Sequence, residues 1–557
     1  MQTKSLTLKF ILHKILSWIL VSGVSTQKMR VNLYGALLNF LNIVNLKPSS
    51  ADPEEDVNAT YVTRLDSSKA RPSREESTLK SMAIEVINSF GENLCSIVCS
   101  DCIGGGHDVC RMVALSCLDT MIEINPGTDW MNTLTNQGYL RSLIDSLLQD
   151  DEGLKEALEP SPKSLRVLYV FESKMALLIK IAGTRVGAET LLAQGALASL
   201  ANLRALDAHP DIHAAYGARD HDFVPSVASR FRQILVPSLT LCDALLSTLG
   251  AQNHSCVLHA THLLLSHLEC VDMVLRAAHP NSPQGLLIEL EALTSVIART
   301  SNREVFGAVS ADTALQSSAA GVQRVQYLML ALLPRFQQPP PESPEQDSVL
   351  YYKIVWNLLM FARNTLEEVS VGGATAEGGR RAGAASLALL HALLLRRRAH
   401  DKLLATVQHQ LHNVPAMTLL DMRKLLGAEA TPASPTEARA AVVARLRERA
   451  AVRRRELQLC EHAAHAALQL LWAHARLLLR ASLPHADSPR DSLTKSAALR
   501  GAVGEEAVML RKELLAVFNE RFVDELLETA KNQPPVQRGF LEILVKDIKT
   551  MIQFSPY

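Results

Sequence analysis

The sequence predicts an all-α protein, an irregular α-solenoid of stacked antiparallel helix pairs of the armadillo or HEAT kind. Three observations predict it. Hydrophobic residues make up 48% of the chain but aromatic ones only 5%, and Leu and Ala dominate the apolar set. Leu and Ala favour helix, and the β-branched and aromatic residues that favour strands are sparse. Apolar residues recur at three- and four-residue spacing almost everywhere, with no sustained two-residue alternation bounded by hairpin turns. Finally, many of these helices are apolar on more than one face and their connections are short. Such helices must be covered on two sides, which a stack of helix pairs achieves. No fixed repeat period is visible, so the stack is irregular.

The elements follow in order. The N-terminal stretch MQTKSLTLKFILHKILSWILVSG has the basic start and apolar middle of a signal peptide. His13 and Lys14 interrupt it, leaving only Ile15 to Val21 unbroken, which is short for a signal core and too short to span a bilayer. Leu8, Ile11, Leu12, Ile15 and Ile19 share one helical face, so an amphipathic helix is the preferred reading. Ala83, Ile87, Phe90, Leu94 and Val98 form a second stripe, and Met112, Leu115, Leu118 and Ile122 a third. LLAQGALASLANL (191–203) has the form of an armadillo-type helix with Gly195 at the turn. After a Pro-rich break, Asp347 or Ser348 is placed to cap a helix carrying Leu350, Ile354, Leu358 and Phe361. Leu515, Phe518, Phe522 and Leu526 form a late stripe, and Leu541, Leu544, Ile548 and Met551 the last.

Segments rich in Pro, Gly, Ser and charge divide the chain. The expected organisation is N-terminal helices over 1–47, a flexible loop over 48–77, a central α-solenoid over 78–335, a Pro-rich loop over 336–347, and a C-terminal helical domain over 348–557. Further loops are expected within that last domain at 371–385, 427–438 and 483–496.

The chain has 557 residues, with 57 Lys and Arg against 57 Asp and Glu. That neutrality removes any global basic field that would attract nucleic acid or an anionic membrane. Nine cysteines are too few for a disulfide scaffold and their number is odd, so buried reduced thiols are expected.

Five stretches invite a chemical reading. CSDCIGGGHDVC (99–110) places Cys99, Cys102, His107 and Cys110 near zinc-knuckle spacing. The final spacing of two rather than four favours a helix hairpin instead, with Gly104, Gly105 and Gly106 turning the chain and Asp108 capping the next helix. CEHAAH (460–465) offers Cys460, His462 and His465 but lacks the His-Glu-x-x-His order of a metalloprotease. His259 and His262 read as ordinary helix histidines. The basic runs at 438–457 and 396–398 could bind nucleic acid or act as import signals. In the longer run alanines and acidic residues intervene and no aromatic is available to stack on bases, so a solvated helix face is preferred. No phosphate loop, nucleophile elbow or dinucleotide fingerprint is present. No catalytic, cofactor-binding or metal-ligating residue is assigned, no cofactor is expected, and no motif supports an enzyme.

Taken together, RVNLYGALLNFL (30–41), GHDVCRMVALSCLD (106–119), GYLRSLIDSLLQDD (138–151), YVFESKMALLIKIA (169–182) and SRFRQILVPSLTLC (229–242) carry a resemblance. In this order they resemble the C-terminal part of the large inner-ring scaffold nucleoporins of the nuclear pore. VFESKMALL and RFRQILVP are the most specific segments. From ELQLCEHAAHAALQLLW (456–472) onward the layout of helices is also similar, and the likeness thins between about residues 300 and 455. The resemblance implies a structural, non-enzymatic scaffold at the nuclear envelope that supports protein and mRNA transport. It implies partners among the inner-ring nucleoporins of the 93 kDa, 35 kDa and 98 kDa types, held as linkers in solenoid grooves. It also implies that Leu8 to Val21 is an internal solenoid helix, that Met1 begins a fragment, and that the Gly-His-Asp segment is a turn rather than a metal site. The competing expectations are a soluble α-solenoid adaptor, such as a transport receptor or an armadillo-type scaffold, and a secreted or metal-dependent protein glycosylated at Asn58 or Asn253. An exposed apolar face around Leu8, Ile11 and Ile15 is expected at the N-terminal helix.

Overall fold

The computed structural model describes residues 2–22, 27–45, 74–104, 106–125, 128–210, 224–250, 252–301, 319–338, 348–366, 374–426, 434–481, 496–531 and 533–554. Among them the regular structure is helical, without a β-strand. The chain divides into two compact units. The first comprises Met1–Ala277 with Pro283–Thr300, the second Ala278–Ser282 with Ser301–Tyr557.

The first unit contains α1 (Gln2–Val21), α2 (Gln27–Asn45), α3 (Arg74–Ile103), α4 (Asp108–Ile124), α5 (Thr128–Asn136), α6 (Tyr139–Gln149), α7 (Asp151–Ala157), α8 (Arg166–Ala182), α9 (Arg185–Ala193) and α10 (Ala196–Ala201). A 3₁₀ turn (Arg204–Asp207) follows, then α11 (Val227–Leu249), α12 (His254–Ser266), α13 (Leu268–Ala277) and α14 (Gln284–Thr300). Two rows of helices run through it. One passes α2, α4, α8, α11 and α14, each packed on the next; the other passes α1, α3, α6, α10 and α12. Cross-contacts such as α3 with α4 and α11 with α12 join the rows. This is the stack that two-sided apolar helices require. In α8, for example, Leu168, Phe171, Met175, Leu178 and Ile181 are all buried.

Local chemistry sets the turns. Gly195 adopts φ 79° between α9 and α10, a left-handed conformation that favours glycine. Thr184, Ser226 and Asn253 cap α9, α11 and α12 by accepting the backbone N–H groups of Gly187, Ser229 and Cys256. Each such cap is worth about 0.5–2 kcal/mol. α1 buries Leu12, Leu16 and Ile19 against α2 and α3. Leu8 and Ile15 are half-buried, whereas Phe10, Ile11 and Trp18 are exposed. The apolar stripe is therefore rotated slightly from the expected one, and a second apolar strip faces outward. Among the described residues no helix is long and apolar enough to cross a membrane.

The second unit has another design. It contains α15 (Ala319–Arg335), α16 (Val349–Leu366), α17 (Ala374–Asn413), α18 (Leu419–Leu426), α19 (Pro435–Ala481), α20 (Ser496–Val517), α21 (Glu520–Glu528) and α22 (Pro535–Phe554). α17 and α19, of 40 and 47 residues, pack along each other as its central pair. α15 and α16 lie against α17, and α16, α20 and α22 against α19.

Two local expectations are corrected here. Residues 374–385, expected within a loop at 371–385, are the first turns of α17. Their glycines had suggested a turn, but Gly383 serves close packing: a Cβ there would lie 2.3 Å from the His474 ring of α19. The surrounding alanines supply helix propensity. Likewise the stripe Leu515–Leu526 is not one helix. α20 stops at Val517, and Asn519 caps α21 by accepting from the Phe522 N–H at 2.9 Å, leaving Leu515 exposed. Of the other expected loops, 48–73, 339–347, 427–433 and 483–495 lie outside the described residues. α3 begins at Arg74, α19 at Pro435 and α20 at Ser496.

Candidate interaction surfaces

CSDCIGGGHDVC forms the turn between α3 and α4. Cys95, Cys99, Cys102 and Cys110 point into the core, whereas His107 is exposed. Cys95 and Cys99 lie one helical turn apart, sulfur to sulfur 3.8 Å. Burial pushes the Cys110 thiol up to about 11 and Cys117 up to about 12. The turn is closed by Gly104 N–H donating to the Ser100 carbonyl at 2.8 Å and by Arg111 donating to the Gly104 carbonyl at 2.7 Å. His107, rather than the expected Asp108, occupies the N-cap position, and Asp108 lies in the first turn, where its charge suits the helix N-terminus. Among the described residues no three His, Cys, Asp or Glu side chains converge as a metal site.

The other candidates also disperse. Cys460 is buried and donates to the Leu393 carbonyl at 3.3 Å. His465 bonds the Thr529 hydroxyl at 2.6 Å, and burial lowers its imidazole to about 4; burial also lowers His462. Both are therefore neutral at pH 7. His259 and His262 are exposed on α12, His259 against its own helix's Ser255 carbonyl. Asn253 uses its side-chain oxygen as a helix cap at 3.0 Å, and Asn58 lies outside the described residues. In the run 396–398, Arg397 pairs with Glu461 at 2.8 Å and Arg398 with Glu525.

Single-letter periodicity could not reveal the buried polar ties that fix helix packing. Arg30 (α2) donates two bonds to Asp101 (α3) at 2.8 and 2.7 Å, and Tyr34 donates a third at 2.8 Å. Lys174 (α8) reaches Asp150 at 2.5 Å, and Arg230 (α11) donates to the carbonyls of Ala157, which ends α7, and of Glu159 beyond it. In the second unit Tyr352 (α16) bonds His400 (α17) at 2.6 Å. Each tie involves residues far apart in sequence, so only the fold brings them together.

Concave and apolar surface is exposed in both units. In the first unit an open groove of about 770 Å³ runs between the α5–α6 turn and α9, lined by Thr135, Arg141, Val186, Glu189 and Gln194. In the second unit a pocket of about 360 Å³ lies between α17 and α20–α21, lined by His391, Leu395, Asn519, Phe522 and Glu525. The outward strip of α1 presents Leu6, Phe10, Ile11, Trp18 and Val21.

Residues 1–301 match the family model described as nuclear pore complex scaffold, nucleoporins 186/192/205. The chain belongs to this family. The match ends at the boundary of the first unit, but similarity continues beyond it. The nuclear pore complex protein Nup205 of Drosophila melanogaster is 31% identical over 601 residues, covering 99% of this chain and 28% of the relative. Nup205 of Homo sapiens is 34% identical over 336 residues, covering 59% of this chain and 16% of the relative. The chain thus spans less than a third of the length of either Nup205. The resemblance read from VFESKMALL and RFRQILVP agrees with this. Both segments are core of the Nup186/192/205-type stack: Phe171, Lys174 and Met175 are buried in α8, and Arg230, Phe231 and Ile234 in α11.

Proposed function

We propose that this chain acts as a non-enzymatic scaffold segment of the nuclear pore complex at the nuclear envelope. Its place is in the inner ring, and it supports protein and mRNA transport by holding other nucleoporins. The observation that carries this reading is membership of the nucleoporin 186/192/205 scaffold family, with relatedness to a Nup205 extending over 99% of the chain. The helix stack supports it physically, because stacked helix pairs present long surfaces on which extended or helical segments can make many modest contacts. Linker nucleoporins of the 93 kDa, 35 kDa and 98 kDa types are the proposed occupants of such surfaces. Expression of the fluorescently tagged chain in cultured cells tests the assignment. Accumulation at the nuclear rim, in register with a pore marker, is the expected result. Diffuse cytosolic signal that exchanges with a cargo or a regulatory GTPase would favour a soluble adaptor and overturn it.

A further inference from the structure

The basic run that the scaffold reading leaves unused lies at one end of the long helix pair. Beyond His400 and Arg453 the described side-chain hydrogen bonds of α17, α18 and α19 stay within that end: Thr418 with Asp421, Ser434 with Glu437, and Arg445 with the Leu426 carbonyl. About 20 Å of α17 and about 27 Å of α19 lie in it, at a rise of about 1.5 Å per residue. A small core of its own holds it: Val414, Met422, Leu426, Ala438, Val442 and Leu446 are buried together.

Its charge is not that of the chain. The whole sequence is neutral, yet Asp401 to Arg455 contains ten Lys and Arg against five Asp and Glu. Nearer the body of the unit the arginines are consumed, Arg397 by Glu461, Arg398 by Glu525, and Arg453, one of those ten, by Glu456 just beyond that range. In the hairpin end, Arg423, Arg439, Arg447, Arg449 and Arg455 are exposed and have no ion-pair partner among the described residues. The short α18, which packs on α19 in the same end, exposes Leu419 and Leu420, at 40% and 64%.

We propose that this arginine-rich hairpin end is a docking surface for an acidic, leucine-bearing protein segment. Guanidinium groups bind carboxylates in a planar, bidentate fork, so arginine in place of lysine suits a partner rich in Asp and Glu. The exposed leucines offer an apolar contact that a purely ionic partner would not use. A nucleic acid fits less well, because no Phe, Tyr or Trp occurs between Arg396 and Glu456 to stack on a base. The same absence removes the aromatic anchors of a membrane interface. The partner binds by steering through charge and is held by the leucines, so its affinity falls with salt but does not vanish.

The test uses the purified full chain and three fluorescent probes: a twenty-residue peptide of glutamate with leucine at every fourth position, a single-stranded oligonucleotide of equal net charge, and vesicles of phosphatidylserine and phosphatidylcholine. The peptide is expected to bind more tightly than the other two at physiological salt. The variant R439Q/R447Q/R449Q/R455Q, altered only at exposed positions, is expected to weaken peptide binding about tenfold or more with unchanged helix content. The variant L419S/L420S is expected to abolish the binding that persists at high salt. Tighter binding of the oligonucleotide would make this a nucleic-acid surface, and tighter binding of the vesicles a membrane surface. Either result, or peptide affinity unchanged in the four-glutamine variant, overturns the proposal. The probe comparison on the unaltered chain stands even where a variant fails to fold.

Discussion

The two units solve the same problem, covering apolar helices, in different ways. The first uses many short helices in two rows, and its buried charges are tied across helices, as Arg30 is to Asp101 and Lys174 to Asp150. The second uses two helices of 40 and 47 residues, wrapped by their neighbours along one part and, among the described residues, covered mainly by each other and α18 at the far end. Short stacked helices leave almost no segment that can change without disturbing a neighbour. A long pair can carry an end with its own core and its own charge. The proposed docking end thus lies apart from the buried charge ties that hold the first unit.

The largest effect expected from breaking this comparison is in the first unit. Asp101→Ala leaves Arg30 buried without its carboxylate, at a cost of about 3–5 kcal/mol. Chemical denaturation followed by circular dichroism should show an early transition lost or shifted, and an unaltered curve would remove the buried ties from the account.

A pH titration sharpens the second unit. Burial, with the nearby His462 and Arg397, holds His465 down at about 4, below the ordinary value of about 6.5. Between those values the unfolded chain binds a proton that the folded chain refuses. Stability is therefore full above about pH 6.5 and falls as pH drops toward 4, by about 2–3 kcal/mol. His465→Gln should flatten that dependence for the second unit's transition, and a slope equal to wild type would assign it to other groups.

Close packing comes next. Gly383→Ala pushes a methyl group into the His474 ring and is expected to destabilise the second unit by about 1–3 kcal/mol, although alanine is the better helix former. A stabilised variant would mean that α17 and α19 can separate locally without cost.

A more local effect is expected at the hairpin end. Leu446→Ala opens its small core, so amide hydrogen exchange should quicken between residues 401 and 455 while the global melting temperature stays put. Quickened exchange throughout the second unit would show that the end is not a separate cooperative element. The smallest effect belongs to exposed ion pairs. Glu85→Gln, which removes the Lys9 pair at 2.7 Å, should change stability by less than about 1 kcal/mol in the same denaturation assay.

Much of this was legible in the sequence. The helical class followed from Leu and Ala spacing, and Gly195 marked a real turn because only a left-handed residue fits there. The CSDCIGGGHDVC turn was readable from its three glycines, since a glycine run ends a helix whatever the cysteines beside it suggest. Glycine misled at Gly383, which permits close approach of two helices rather than a turn, a distinction that depends on His474 about ninety residues away. The stripe through Phe518 misled because Asn519 is both a tolerable helix residue and a good cap, and tertiary packing chose the cap. The buried pairs were not legible at all, because periodicity records one face of one helix and carries no information on which distant charge will meet it. The arginine run was seen, but which of its members lack a carboxylate emerged only from the fold, which pairs Arg453 with Glu456 and leaves Arg439, Arg447, Arg449 and Arg455 exposed.

The central claim is that this chain holds other nucleoporins. Affinity capture of the tagged chain from nuclear-envelope extract, read by quantitative mass spectrometry, tests it most directly. The account expects enrichment of inner-ring nucleoporins, with the four-glutamine variant losing a subset of partners rather than all of them. Enrichment instead of a GTPase with transport cargo, or of secretory-pathway proteins, would contradict it.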